Sequence, residues 1–167
     1  MCGEELTKAC FKLKDATLHS DAVHRGVGQL MPCARSAMYG CCLVSKPMLL
    51  EPMYLVEILC PNQYMHVIYQ LMAKRRGQIT SEEPRDGQPL SDIKAYLPVS
   101  ESFGFDAQLR EFTAGHAFPQ CVFSHYALIP SDPLTIDTQA QKLILAIRKR
   151  KGMKESTPQV SDYEDRM

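Results

Sequence analysis

The sequence predicts an α+β protein, and three observations carry that prediction. Apolar residues fall at every second position at Tyr54, Val56, Ile58 and Cys60, and again at Ile93, Ala95 and Leu97, the period of strands. Tyr64, Val67, Ile68, Leu71 and Met72 recur instead at the i, i+3, i+4 spacing of one helix face, as do Phe105, Leu109 and Phe112. Pro84-Arg85-Asp86-Gly87 is a turn that joins the middle strands with no room for a helix between them. The order is β-α-β-β-α-β, the split βαβ or ferredoxin-like plan.

The elements follow in order. Phe11 and Leu13 alternate with Lys12 and Lys14, which predicts a half-buried strand. His19 to Gly28 is polar and punctuated by glycine, a loop signal. A helix is expected from Gln29 to Val44, with Pro32 tolerated in its first turn. A strand follows Glu51-Pro52, and Asn62 is expected to cap the next helix. Lys74, Arg75 and Arg76 fall in that helix's last turn, where cations suit the dipole, with Gly77 as C-cap. Strands are expected over 78–82 and 90–97. A helix over 103–112, with Phe105, Leu109 and Phe112 on its buried side, ends at Gly115, and a last strand spans 121–128. A final helix over 138–151 is capped by Asp137, carries an apolar stripe of Ala140, Leu143, Ile144 and Ile147, and ends in Arg148-Lys149-Arg150-Lys151 before Gly152. From Glu155 onward a mobile tail is expected.

Three regions result. Residues 1–46 hold one strand, a loop and one helix, which cannot bury both faces, so they are expected to be an incomplete α/β domain. Residues 47–131 are the ferredoxin-like domain, and 132–167 the C-terminal helix and tail. The 167 residues allow one domain or a domain and a half, and a compact chain of this length buries roughly 70% of its unfolded surface.

Composition excludes several functions. Nineteen Lys+Arg balance nineteen Asp+Glu, so this is not a bulk polycation. With 45% hydrophobic residues it is not a disordered acidic chain either. No apolar run reaches the roughly 18 residues a membrane span needs, and Met1-Cys2-Gly3-Glu4-Glu5 does not read as a secretory signal. The seven cysteines are odd in number and form no Cys-x-x-Cys pair, so reduced thiols in a cytoplasmic protein are expected, without zinc or disulfides.

Candidate sites remain open between two readings each. Lys74, Arg75 and Arg76, and Arg148, Lys149, Arg150 and Lys151 with Lys154, read as phosphate contacts on RNA or as solvated, dipole-matched cations. The loop with Asp21, Val23, His24 and Arg25 reads as a probe inserted into a partner or as an ordinary connection, with Gly26 and Gly28 allowing a sharp turn. Glu82, Glu83 and Glu101 near Ser100 and Ser102 lack a histidine at a spacing that would pair with them, and no Gly-rich phosphate loop is present.

From Thr17 to Lys154 the chain resembles the C-terminal end of elongation factor 2 of eukaryotes and archaea, a translational GTPase. The resemblance is carried by five stretches: Thr17-Leu18-His19-Ser20-Asp21-Ala22-Val23-His24-Arg25-Gly26, Glu51-Pro52-Met53-Tyr54-Leu55-Val56-Glu57-Ile58, Lys94 to Phe105, Gly115-His116-Ala117-Phe118-Pro119-Gln120, and Arg148 to Lys154. It implies a ferredoxin-like fifth domain preceded by the end of a fourth domain of the ribosomal protein S5 domain 2-like type. It implies that His24 stands where the family carries diphthamide, made by dedicated enzymes and attacked by ADP-ribosylating toxins. The tip would enter the decoding centre beside messenger and transfer RNA, and the basic clusters would face ribosomal RNA. It implies a monomeric, cytoplasmic, ribosome-binding portion of a translocase with no cofactor of its own, since GTP and Mg belong to domains not seen here.

The sequence also departs from the family. Val27 stands in place of the middle of three glycines, His66 and Val67 in place of two, and Ala114 in place of one, while Ser124 and Tyr126 replace an acidic residue and a tryptophan. If the Val27 position requires positive φ, the tip is reshaped. The departures favour an alternative, a diverged stand-alone interaction module without translocase activity. The short tail after Lys154 argues against the spliceosomal or ribosome-maturation relatives.

Overall fold

The computed structural model describes residues 1–164 of the 167. The described chain divides into two compact units, one of residues 50–129 and one formed jointly by 1–49 and 130 onward.

The unit of residues 50–129 has the predicted order: β1 (Leu50–Pro61), α2 (Met65–Lys74), β2 (Gln78–Pro84), β3 (Leu90–Pro98), the four-residue α3 (Val99–Ser102), α4 (Phe105–Phe112) and β4 (Phe118–Leu128), with α1 (Val27–Val44) belonging to the other unit. The strands form one antiparallel sheet in the order β2-β3-β1-β4. The expected ferredoxin-like fold is borne out. Val56, Ile58 and Cys60 of β1 and Ile93, Ala95 and Leu97 of β3 face one way, as their period-two spacing requires, and are buried. Ile68, Leu71 and Met72 of α2 and Phe105 and Leu109 of α4 close over them, completing the core. The Pro84–Gly87 turn is present, with Gly87 at φ 75, and Arg85 pairs with Asp92 across the hairpin.

Several local expectations are corrected. Asn62 does not cap α2: it opens a 3-10 turn, and its Oδ1 accepts from Ser91 Oγ at 2.8 Å. At the end of α2 the left-handed residue is Arg76, φ 58, not Gly77. Gly77 is required for space, because a Cβ there would stand 2.6 Å from Met72 Sδ. Phe112, expected on the buried side of α4, is 53% exposed, and Phe103 lies before the helix in solvent. The residues opposite β1 shift at Ser124, which bulges out of β4 between partners of Met53 and Tyr54.

In the other unit, α1 spans Val27–Val44, so Pro32 lies beyond the first turn and removes the donor that would reach the carbonyl of Gly28. The strand expected around Phe11 and Leu13 does not form. These residues are exposed, and no other strand lies among the described residues of this unit to pair with them. α5 spans Gln139–Arg150 and its cap is Thr138, whose hydroxyl accepts from Gln141 N at 3.2 Å. Asp137 instead has φ 66 and pairs with Lys142. The expected mobile tail is docked over part of its length: Val160–Asp162 forms a 3-10 turn, and Tyr163 packs edge-on against Tyr39 of α1, its carbonyl accepting from Ser36 Oγ. The rest of that expectation, 165–167, lies outside the described residues.

Candidate functional site

The tip is built by one small polar motif. Asp21 lies in the extended region, its Oδ1 accepts from Val23 N at 3.1 Å, and its carbonyl accepts from His24 N, so Ala22–Arg25 closes as a single 3-10 turn. His19 Nδ1 accepts from Asp21 N at 3.1 Å, fixing the chain before the turn. The rings of His19 and His24 meet edge-to-face at 4.7 Å. Val23, His24 and Arg25 are all exposed, and Val23 is 76% accessible. The turn therefore presents an aliphatic side chain, an imidazole and a guanidinium together to solvent.

The glycines have a smaller part than expected. Gly26 has φ −65 and ψ 151, a conformation open to any residue, and Gly28 lies inside α1 with open space where its Cβ would stand. Val27 is the first residue of α1 and has no positive φ, so its β-branch imposes no backbone strain on the tip. The carbonyl of Gly26 accepts from Gln29 N and Leu30 N, joining turn to helix.

The cluster at the end of α2 divides by chemistry. Arg75 donates to the carbonyls of Glu101 and Phe103 and to Gln108 Oε1, and its guanidinium lies over the Phe105 ring, clamping the α3–α4 loop. Arg76 forms a two-pronged pair with Glu51 at 2.9 and 3.0 Å and reaches Glu101 at 3.5 Å. Burial acts to lower its pKa, but the Glu51 and Glu101 carboxylates outweigh that and the pKa is raised. Both arginines are thus engaged within the fold. Lys74 is exposed and takes part in no ion pair among the described residues.

The end of α5 divides in the same way. Arg148 is only 7% exposed, one helical turn beyond buried Ile144. Its Nε donates to the carbonyl of Lys154 at 2.7 Å and its Nη1 to the carbonyl of Met1. Lys151 donates to the carbonyl of Gly3 and pairs with Glu4, both at 2.7 Å. Lys149, Arg150 and Lys154 are exposed, and Gly152, at φ 65, turns the chain back. The sequence held the signal for Arg148: Ala140, Ile144 and Arg148 continue one buried i+4 row.

The sequence model described as elongation factor G C-terminus matches residues 48–137, more than half of the chain. The chain belongs to the elongation factor G C-terminus family. The matched span of this family member holds the whole ferredoxin-like sheet, both helices that cover it, and the Arg75 and Arg76 clamps. The tip turn around His24 and the basic end of α5 lie outside that span. No group of three or more His, Cys, Asp or Glu side chains among the described residues is arranged to hold a metal ion. No helix among them is long and apolar enough to cross a membrane.

Proposed function

We propose that this translation-factor portion binds the ribosome in support of tRNA–mRNA translocation, as the C-terminal end of an elongation factor 2, with His24 as its diphthamide acceptor. The observation that carries the reading is the tip: His24 stands exposed in a turn locked by Asp21, beside Arg25 and at the head of an 18-residue helix. A modifying enzyme needs the imidazole accessible, and a decoding-centre probe needs it held in place. Lys74, Lys149, Arg150 and Lys154 are the side chains offered to RNA phosphates. Arg75, Arg76 and Arg148 support the fold that presents them, and Lys151 has carbonyl and carboxylate partners of its own.

The test is labelling of the chain, made in a eukaryotic host, by a diphthamide-specific toxin with labelled NAD. Transfer to the parent chain and none to His24→Ala is expected. Transfer that survives His24→Ala sinks the assignment of that residue. Co-sedimentation with ribosomes tests the partner separately. Unmodified His24 together with no co-sedimentation would establish the alternative, a diverged interaction module outside translocation.

A further inference from the structure

The first four residues of the chain lie against the basic end of α5. Met1 gives its carbonyl to Arg148 Nη1. Gly3 gives its carbonyl to Lys151 Nζ at 2.7 Å, and Glu4 Oε1 meets the same ammonium at 2.7 Å. Cys2, between them, is only 3% exposed. Gly3 has φ 67, and a Cβ there would stand 3.6 Å from Met153 Sδ and 3.7 Å from Lys151 Nζ, so the backbone passes close over the residues that follow α5. Beyond Glu4 the grip ends: residues 5–19 are exposed and contain no helix or strand. Glu4, Ile147, Arg150 and Lys151 line one open cleft, so the Glu4 carboxylate also stands at the site of an exposed cation.

We propose that residues 1–4 are an autoinhibitory cover on the basic end of α5, held on Lys151 through Gly3 and Glu4 and displaced when RNA phosphates take that ammonium. The inference rests on the reading that this end meets RNA phosphates, and adds that one of its cations is withheld until RNA arrives. The carbonyl and carboxylate oxygens of Gly3 and Glu4 are acceptors of the kind a phosphate supplies. An ammonium on a flexible stem has no fixed fork to satisfy, so it exchanges one oxygen partner for another readily. The Lys151 and Glu4 side chains are 39% and 54% exposed, and a pair that open to water is weak enough for a polyanion to break. Lys149 and Arg150 are exposed, which gives RNA a first foothold before the segment moves. Arg148 is not gained, because it is buried and keeps the Lys154 carbonyl through Nε. The cover leads into a stretch without helix or strand, so it leaves without breaking either.

The experiment follows binding of a fluorescein-labelled RNA hairpin to the full chain by anisotropy, and alkylation of Cys2 by iodoacetamide through mass spectrometry of its peptide. Glu4→Gln should tighten binding by about threefold to fivefold, the size of an exposed ion pair. Glu5→Gln removes the same charge from the neighbouring residue and should change binding far less. Lys151→Ala should abolish the gain from Glu4→Gln, because no ammonium is left to uncover. Saturating RNA should speed alkylation of buried Cys2 severalfold relative to exposed Cys33. A gain from Glu4→Gln that persists in the Lys151→Ala chain is a general effect of charge and overturns the cover. Binding that weakens with Arg150→Ala, yet neither tightens with Glu4→Gln nor exposes Cys2, overturns the cover and leaves the RNA reading standing. Binding indifferent to Lys149→Ala and Arg150→Ala together overturns both.

Discussion

Gly77→Ala should destabilise the sheet unit although Gly77 lies outside the helix and has no positive φ. A methyl group there would stand 2.6 Å from Met72 Sδ and 3.3 Å from both Met72 Cβ and Met72 O. Carbon and sulfur in contact rest nearer 3.5–4.0 Å, so the sulfur must retreat by about 1 Å. Met72 is 1% exposed and packed within the core of Ile68, Leu71 and Leu109, so it has no free space to enter. Overpacking of this kind costs about 1–3 kcal/mol. Removing a glycine also stiffens the unfolded chain and returns about 0.4–1 kcal/mol, leaving a net loss of about 1–2 kcal/mol. Ala114→Gly is the paired control with the opposite sign. Ala114 is exposed at φ 51, where an L-residue is disfavoured by about 1–2 kcal/mol. After the same glycine entropy term with its sign reversed, a gain of about 0.5–1 kcal/mol remains. Hydrogen exchange of β1 and β3 amides, read by mass spectrometry, reports the opening free energy of this unit. A Gly77→Ala chain as protected as the parent, or an Ala114→Gly chain less protected, would refute the steric and backbone argument together.

Burial, reinforced by the nearby carboxylates of Glu82 and Asp92, pushes the Cys60 thiol from 9.0 up to about 11. A raised folded pKa means that this stability is whole below pH 9 and is lost as pH climbs toward 11, because the unfolded chain releases its proton first. Urea titrations at about pH 8 and pH 10.5 should show a loss, about 2 kcal/mol of it from this thiol, that is smaller in Cys60→Ala. Equal losses in the two chains would contradict the buried-thiol account. Arg148→Met should loosen the first residues of the chain from the end of α5, seen as faster amide exchange there, while Arg150→Met leaves them protected; unchanged exchange in Arg148→Met would show that its contact with the Met1 carbonyl does not hold the segment, leaving Lys151 on Gly3 and Glu4 to do so. In binding to ribosomal RNA fragments, Lys149→Ala and Arg150→Ala should each flatten the plot of log affinity against log salt by roughly 0.7–0.9. Arg76→Lys should lower stability with the slope unchanged, and a change of slope there would return Arg76 to the phosphate contacts.

Much of the sheet unit was legible because its elements repeat a pattern long enough to decide. Four alternating positions in β1 and five helical positions around α2 leave one consistent face each, and the structure buries that face. The Phe11–Leu13 alternation is shorter, and a strand also needs a neighbour, which no local pattern supplies. Caps misled for a related reason. Asn62 and Asp137 both have side chains suited to capping, but Asn62 is held by Ser91 from across the sheet and Asp137 by Lys142, leaving Thr138 to cap α5. Phe112 sat at the right spacing for a short stripe, yet α4 ends at that residue and the buried row stops at Leu109. The tip was legible as an exposed turn, but its glycines were credited with a bend that Asp21 makes through its side chain and carbonyl. Those are contacts a sequence can suggest but not weigh.

The basic clusters show why charge counting could not separate contact residues from structural ones. Each cluster lies at a helix end, where four carbonyls lack helical partners, and each mixes arginine with lysine. A guanidinium offers five donors in a fixed plane and satisfies several acceptors at once, while an ammonium is a compact, strongly hydrated charge on a flexible stem. The fold uses that difference. Arg75 binds two carbonyls and an amide oxygen, Arg76 two carboxylates, and Arg148 two carbonyls, one six residues on and one at the start of the chain. Lys74, Lys149 and Lys154 are left in water, joined by Arg150. A chain with nineteen cations and nineteen anions presents local positive charge where exposed cations cluster, as Lys149, Arg150 and Lys154 do at the end of α5. In this arrangement the arginines decide where each cluster points, and the exposed cations decide what it can bind.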